Sequence, residues 1–200
     1  TRELLKRNDL LALFGYVGTP TTKVALPLIE AAKVPLVAPM TGASLFRQPE
    51  LRMVFNMRTS YRREIAAMVD EMVRDAHHRI AVVYQDDAFG QDGLDGAMAA
   101  LKSHGLKPVA VTTVQRNSAQ VGEALDDLMA VKPSGIVIVS AYVSSAALST
   151  ALRDRGSSAQ IMNVSFVGTQ ALQKAMPVGE ANGIGVAQVV PFPWNRWIPV

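Results

Sequence analysis

An alternation constrains this chain more than any single motif. Short, continuous apolar runs (LLALFGY, VPLVAP, RIAVVYQ, KPVAVTTV, GIVIVSA, AQIMNVSFVG and GIGVAQVVP) are separated by segments with helical periodicity. A strand with one wet face alternates apolar and polar residues, whereas a run that is apolar throughout needs cover on both faces. Between the runs, REIAAMVDEMV places Ile65, Met68, Val69 and Met72 on one helical face, and AQVGEALDDLMA does the same with Val121, Leu125, Leu128 and Met129. Strands and amphipathic helices in βαβα order build parallel, doubly wound sheets, so the expected fold class is α/β.

The rhythm breaks in two places. RQPELRMVFNMRTSY contains a longer connection with Pro49, a short strand MVFNMR and then a new helix, which places a crossover between sheets near Asn56 to Ser60. The tail PFPWNRWIPV is rich in Pro and Trp, cannot continue a helix, and reads as a second crossover or linker over 192–200. Residues 59–191 then form a unit with five strands, while residues 1–58 hold two full strands and a crossing one. So small a sheet is marginal alone, and the first unit is expected to be an incomplete piece of a larger domain. The opening TRELLKRNDL reads as the end of a helix and lacks a basic-then-apolar leader, in keeping with a piece of a longer precursor.

Composition narrows the partners. With 200 residues, 49% hydrophobic and 18% charged, the chain can bury a substantial core. The net charge of +3 is modest, and Arg58, Arg62 and Arg63 are interrupted by Thr59, Ser60 and Tyr61. A nucleic-acid footprint needs clustered positive charge, so no nucleic-acid partner is expected. The absence of cysteine excludes disulfides, thiol catalysis and cysteine-ligated zinc.

In open α/β sheets, ligands bind outside the carboxyl ends of the strands. That rule selects the loops Gly18 to Thr22, Met40 to Ser44, Gln85 to Gly90, Ser140 to Ser144 and Val164 to Thr169. Most are rich in Ser, Thr, Gly or Tyr, and polar groups without a strong nucleophile suit reversible binding better than catalysis. Gly-Thr-Pro-Thr-Thr-Lys is not a Walker loop, because Thr22 precedes Lys23 and Pro20 interrupts the cradle. It reads instead as a helix start capped by Thr19, whose open N–H groups still suit an anion.

FGQDGLDG, at Phe89 to Gly96, has G-x-x-G-x-x-G spacing rather than the dinucleotide fingerprint, and reads as a turn and helix start. Asp86 and Asp87 fit either a magnesium site or a turn and cap. His77, His78 and His104 fall away from the five loops, so no Ser-His-Asp set assembles on the rim. A nucleotide- or magnesium-dependent α/β enzyme remains a rival reading.

The serial order of GYVGTPTT, VPLVAPMTGAS, FNMRTSY, RIAVVYQDDAFGQDGL, GIVIVSAY and QIMNVSFVG resembles the type I periplasmic binding proteins, and within them the branched-chain amino-acid receptors that feed ABC transporters. The resemblance implies two lobes joined by crossovers, with residues 1–58 the latter part of the first and 59–191 the second. It further implies a cleft for a small carboxylate or amino acid, a membrane permease as partner, a periplasmic location, no cofactor and no enzymatic turnover. A ligand-sensing regulatory domain of the same fold is the alternative. By position, Thr19 and Thr21 would hold a ligand carboxylate, and Thr41, Gly42 and Ala43 would add backbone and hydroxyl contacts. Phe89 and Tyr142 would face the cleft from the second lobe. Ser165 stands where these receptors commonly place the acid that meets the ligand's ammonium, a departure that favours a carboxylate without one.

Overall fold

The structure, a computed structural model, describes residues 1–190; the linker expected over 192–200 lies outside them. The chain divides into two compact units, Thr1–Tyr61 and Arg62 onward.

In the first unit β1 (Leu13–Phe14), β2 (Leu36–Val37) and β3 (Val54–Phe55) form a parallel sheet in the order β1-β2-β3, with α1 (Thr19–Ala32) connecting the first two. The register aligns Leu13, Leu36 and Val54 on one level and Phe14, Val37 and Phe55 on the next. Leu13 and Leu36 pack with Ala25 and Ile29 of α1 into a small core. On the other face Phe14 is 76% and Phe55 50% exposed.

The strands are shorter than the apolar runs that contain them. Gly15 (φ 69°) and Ala38 (φ 51°) both leave the extended region just past the paired segments. The two chains meet again at a parallel bridge, Val17 to Met40. There the Met40 amide donates to the Tyr16 carbonyl (2.7 Å) and the Gly18 amide to the Met40 carbonyl (3.2 Å). MVFNMR, read as a short strand leading into a crossover, contributes Val54–Phe55 as the third strand of this sheet: Leu36 and Ala38 donate to the Met53 and Phe55 carbonyls at 2.7 and 2.8 Å.

The boundary falls after the first residue of α2 (Tyr61–Arg74), and the second unit continues β4 (Ile80–Gln85), α3 (Ala88–Ser103), β5 (Val111–Val114), α4 (Gly122–Val131), β6 (Gly135–Val139), α5 (Tyr142–Asp154), β7 (Gln160–Asn163), α6 (Thr169–Ala175) and β8 (Ile184–Val186). Its sheet is wholly parallel, in the order β5-β4-β6-β7-β8. Ala81, Val83, Ile136 and Ile138 face a core completed by Leu125 and Leu128 of α4 and Leu148 and Leu152 of α5. The opposite face meets α2 and α3, as at Gly135 beside the Met72 sulfur and Gly93 beside Val139. Helices on both faces explain why the central runs are apolar throughout.

The spaced glycines of FGQDGLDG lie inside α3, not in a turn before it. A Cβ at Gly90 would stand 1.9 Å from the Gln85 carbonyl oxygen, one at Gly93 2.4 Å from Val139 Cγ1, and one at Gly96 3.3 Å from the Arg62 Cα. The three-residue spacing therefore presses one helical face against the sheet and α2. It serves close packing, not a pyrophosphate.

Candidate functional site

In the first unit the Val17–Met40 bridge carries the two chains side by side to the loops that follow. Thr19 and Thr41, the next residues beyond Gly18 and Met40, end with their Oγ1 atoms 2.7 Å apart, both fully buried. The Ala43 amide donates to Thr41 Oγ1 at 3.2 Å. Gly42 is buried as well; its carbonyl accepts the Tyr61 amide at 2.9 Å, and a Cβ there would lie 2.7 Å from the Tyr61 nitrogen.

Thr19 is not the cap of α1. Gly18, at φ 90°, takes the cap position, its carbonyl accepting both the Thr22 amide (3.1 Å) and the Thr22 hydroxyl (2.7 Å). A φ of that sign favours glycine, so the cap falls one residue earlier and the Thr19 hydroxyl is left to meet Thr41. Thr21, two residues on, is exposed. Helical residues two apart point to different sides, so Thr19 turns inward to Thr41 while Thr21 faces outward.

In the second unit the predicted residues sit at the carboxyl ends of β4, β6 and β7. Asp87 caps α3, its Oδ1 accepting the Phe89 amide at 2.8 Å and the Gly90 amide at 3.1 Å. Asp86 accepts from Gln115 Nε2 at 3.3 Å. The adjacent aspartates thus turn to separate tasks, and among the described residues no cluster of three or more His, Asp or Glu is arranged to hold a metal.

Buried Gln85 ties two of these loops together: its Nε2 donates to Asp87 Oδ2 at 2.5 Å, and its Oε1 accepts the Ala141 amide at 3.3 Å. Tyr142, the first residue of α5, is 42% exposed. Phe89 is buried and packs against Phe166 with ring centroids 5.0 Å apart and planes at 50°. Ser165 opens a single 3₁₀ turn, Ser165–Val167, where the sequence suggested continuing strand. Its amide donates to Glu64 Oε2 at 2.9 Å.

Sequence reasoning missed two of these residues, Gln85 in its bridging role and Glu64. Glu64 had a readable signal: it lies three residues after Tyr61 and four before Met68, inside the stripe of α2 that is buried. A carboxylate on such a stripe needs a specific partner.

Parallel sheets with hydroxyls and amides gathered at their carboxyl ends define the class, an α/β ligand-binding fold of the type I periplasmic binding protein kind. The chain belongs to the periplasmic binding protein family, whose model matches residues 1–196. It is similar to the crystal structure of a possible leucine/isoleucine/valine-binding protein from Rhodopirellula baltica SH 1, at 36% identity and TM-score 0.88 over 96% of this chain and 53% of that one. A substrate-binding periplasmic protein from Ralstonia solanacearum matches at 33% identity and TM-score 0.86, over 96% of this chain and 55% of that one. A branched-chain amino acid ABC transporter protein from Thermus thermophilus with bound valine shares the fold at 18% identity and TM-score 0.78, over 87% and 46% of the two chains. The chain thus spans about half the length of the solved structures it matches. No curated protein matches it.

Proposed function

We propose that the protein is the solute-binding component of an ABC importer, working in the periplasm and delivering a small carboxylate or amino acid to a membrane permease. Residues 1–58 belong in this reading to one ligand-binding lobe and 59–191 to the other, and hinge closure of the lobes buries the solute reversibly, without turnover. The observation that carries it is the meeting of Thr19 and Thr41 where the chain leaves paired β1 and β2, next to the Gly42–Ala43 backbone. Hydroxyls and N–H groups at the start of α1 suit a carboxylate, because the first amides of a helix have no acceptor within it. Family membership supports solute binding, and the 36%-identical relative described as a possible leucine/isoleucine/valine-binding protein supports a branched-chain ligand.

The test is a thermal-shift screen of the intact protein followed by calorimetry. Leucine and valine are compared with 4-methylpentanoate, which is leucine without its amino group. At least one of these raises the melting temperature and binds with a one-to-one stoichiometry. If no carboxylate or amino acid binds, the reading fails.

A further inference from the structure

We infer that Glu64 is a positioning residue for the ligand, holding in place the turn that carries Ser165 and, through Phe166, the ring of Phe89; this rests on the solute-binding reading above. Glu64 is 4% exposed, and its Oε2 lies 2.9 Å from the Ser165 amide, a residue 101 positions away in sequence. A carboxylate so far out of water requires hydrogen bonds to offset its lost hydration, and a backbone N–H is a strong partner for it.

The Ser165–Val167 turn has the complementary need. Val164, at its cap position, makes no side-chain hydrogen bond to it. The first amides of a helical turn find no acceptor within that turn. Glu64 thus caps this turn from a different element. Its base is firm, since it stands in the first turn of α2, where an acid also complements the helix dipole.

The consequence reaches a second loop. Phe166 follows Ser165 directly, and its ring meets Phe89 at 5.0 Å. Phe89 in turn belongs to the first turn of α3, fixed by the Asp87 cap. One buried carboxylate therefore anchors Ser165, which the family resemblance places at the ligand, and through Phe166 supports the ring of a second such residue, Phe89.

Glu64→Ala, Glu64→Gln and Glu64→Asp separate this role from simple structural support. Glutamine keeps an acceptor oxygen at the same reach, while aspartate keeps the charge one methylene short. The exchange rate of the Ser165 amide and the dissociation rates of leucine and 4-methylpentanoate are measured in the intact protein. In the Ala and Asp variants the Ser165 amide exchanges at least tenfold faster and a bound probe leaves about tenfold faster, whereas the Gln variant stays within about threefold of wild type.

Wild-type dissociation from Glu64→Ala overturns the inference. So does a Gln variant as impaired as the Ala variant, which would make the charge, not the placement, the effective property. Should Glu64→Ala fail to fold, the Asp and Gln pair decides on the same readouts. If the wild-type protein binds neither probe, the branched-chain ligand falls by itself; unchanged Ser165 exchange in the Ala or Asp variant then refutes the anchoring independently.

Discussion

Thr19 Oγ1 and Thr41 Oγ1 lie 2.7 Å apart, each fully buried, although 22 residues separate them in sequence. The bridge between Val17 and Met40 makes this possible by keeping two kinked chains level past the ends of their strands. Thr19→Val leaves a buried hydroxyl at Thr41 with one partner fewer, at a cost of about 1–3 kcal/mol. Urea unfolding measures this. The Thr19→Val, Thr41→Val double variant should lose clearly less than the sum of the single ones, because neither hydroxyl is then stranded. If the pair also faces the ligand's carboxylate, Thr19→Val weakens leucine and 4-methylpentanoate alike.

The glycines of α3 lead to a graded prediction. Gly90→Ala and Gly93→Ala put a methyl 1.9 Å from the Gln85 carbonyl oxygen and 2.4 Å from Val139 Cγ1. Each should cost about 1–3 kcal/mol or more through forced movement of the helix. Gly122, which opens α4, has nothing within 4 Å of such a methyl, and Gly122→Ala should be neutral or stabilise by up to about 0.5–1 kcal/mol. Thermal unfolding of the three variants orders them directly.

These glycines also show what the sequence could and could not reveal. The central strands were legible because parallel strands buried on both faces must be apolar throughout, as Ile80 to Val83 and Ile136 to Val139 are. The helical stripe Ile65, Met68, Val69 and Met72 was legible for the same reason, and all four are buried. The glycine spacing was ambiguous, because close approach to a ligand and close approach to a sheet make the same demand for a missing Cβ. The loop ends were legible as places, but the partners within them were not. Thr19 meets Thr41 through the kinks at Gly15 and Ala38, and the second is a left-handed alanine that propensity does not foresee. Likewise Glu64 reaches Ser165 only through tertiary packing.

Gln85 offers a test of how the second unit's loops are held. Its carboxamide joins the Asp87 cap to the Ala141 amide, so the starts of α3 and α5 depend on one side chain. Gln85→Leu keeps the volume but strands both partners, and should destabilise by about 1–3 kcal/mol. Amide exchange should quicken at Ala141. A variant that unfolds at the wild-type urea concentration, with Ala141 still protected, would remove Gln85 from this role.

The first unit's sheet has an apolar face on which Phe14, Val37 and Phe55 stand in register, with Phe14 76% and Phe55 50% exposed. Parallel sheets are ordinarily covered on both faces, and contiguous exposed apolar surface drives association. The 200-residue chain prepared alone should therefore self-associate in a concentration-dependent way, as read by sedimentation velocity. Phe14→Lys and Phe55→Lys, which point away from the Leu13 and Leu36 core, should shift it toward monomer without lowering its melting temperature. Unchanged sedimentation of the double variant would place the contact elsewhere.

The ligand itself supplies the last prediction. Ser165 stands where the family resemblance places an acid for the ligand's ammonium, and a buried ammonium that loses such a partner is penalised by several kcal/mol. With serine there, the intact protein should bind 4-methylpentanoate more tightly than leucine. Ser165→Glu should reverse the order by improving leucine binding, a charge-assisted hydrogen bond contributing about 1.5–3 kcal/mol, while leaving the simple acid no tighter than before. The gain belongs at the low end of that range, because Glu64 Oε2 already lies 2.9 Å from the residue 165 amide and repels a second carboxylate. Calorimetry on both ligands, with wild type and variant, reads the double difference. A wild-type preference for leucine would mean that another acid meets the ammonium, and the ligand class would then be the amino acid itself.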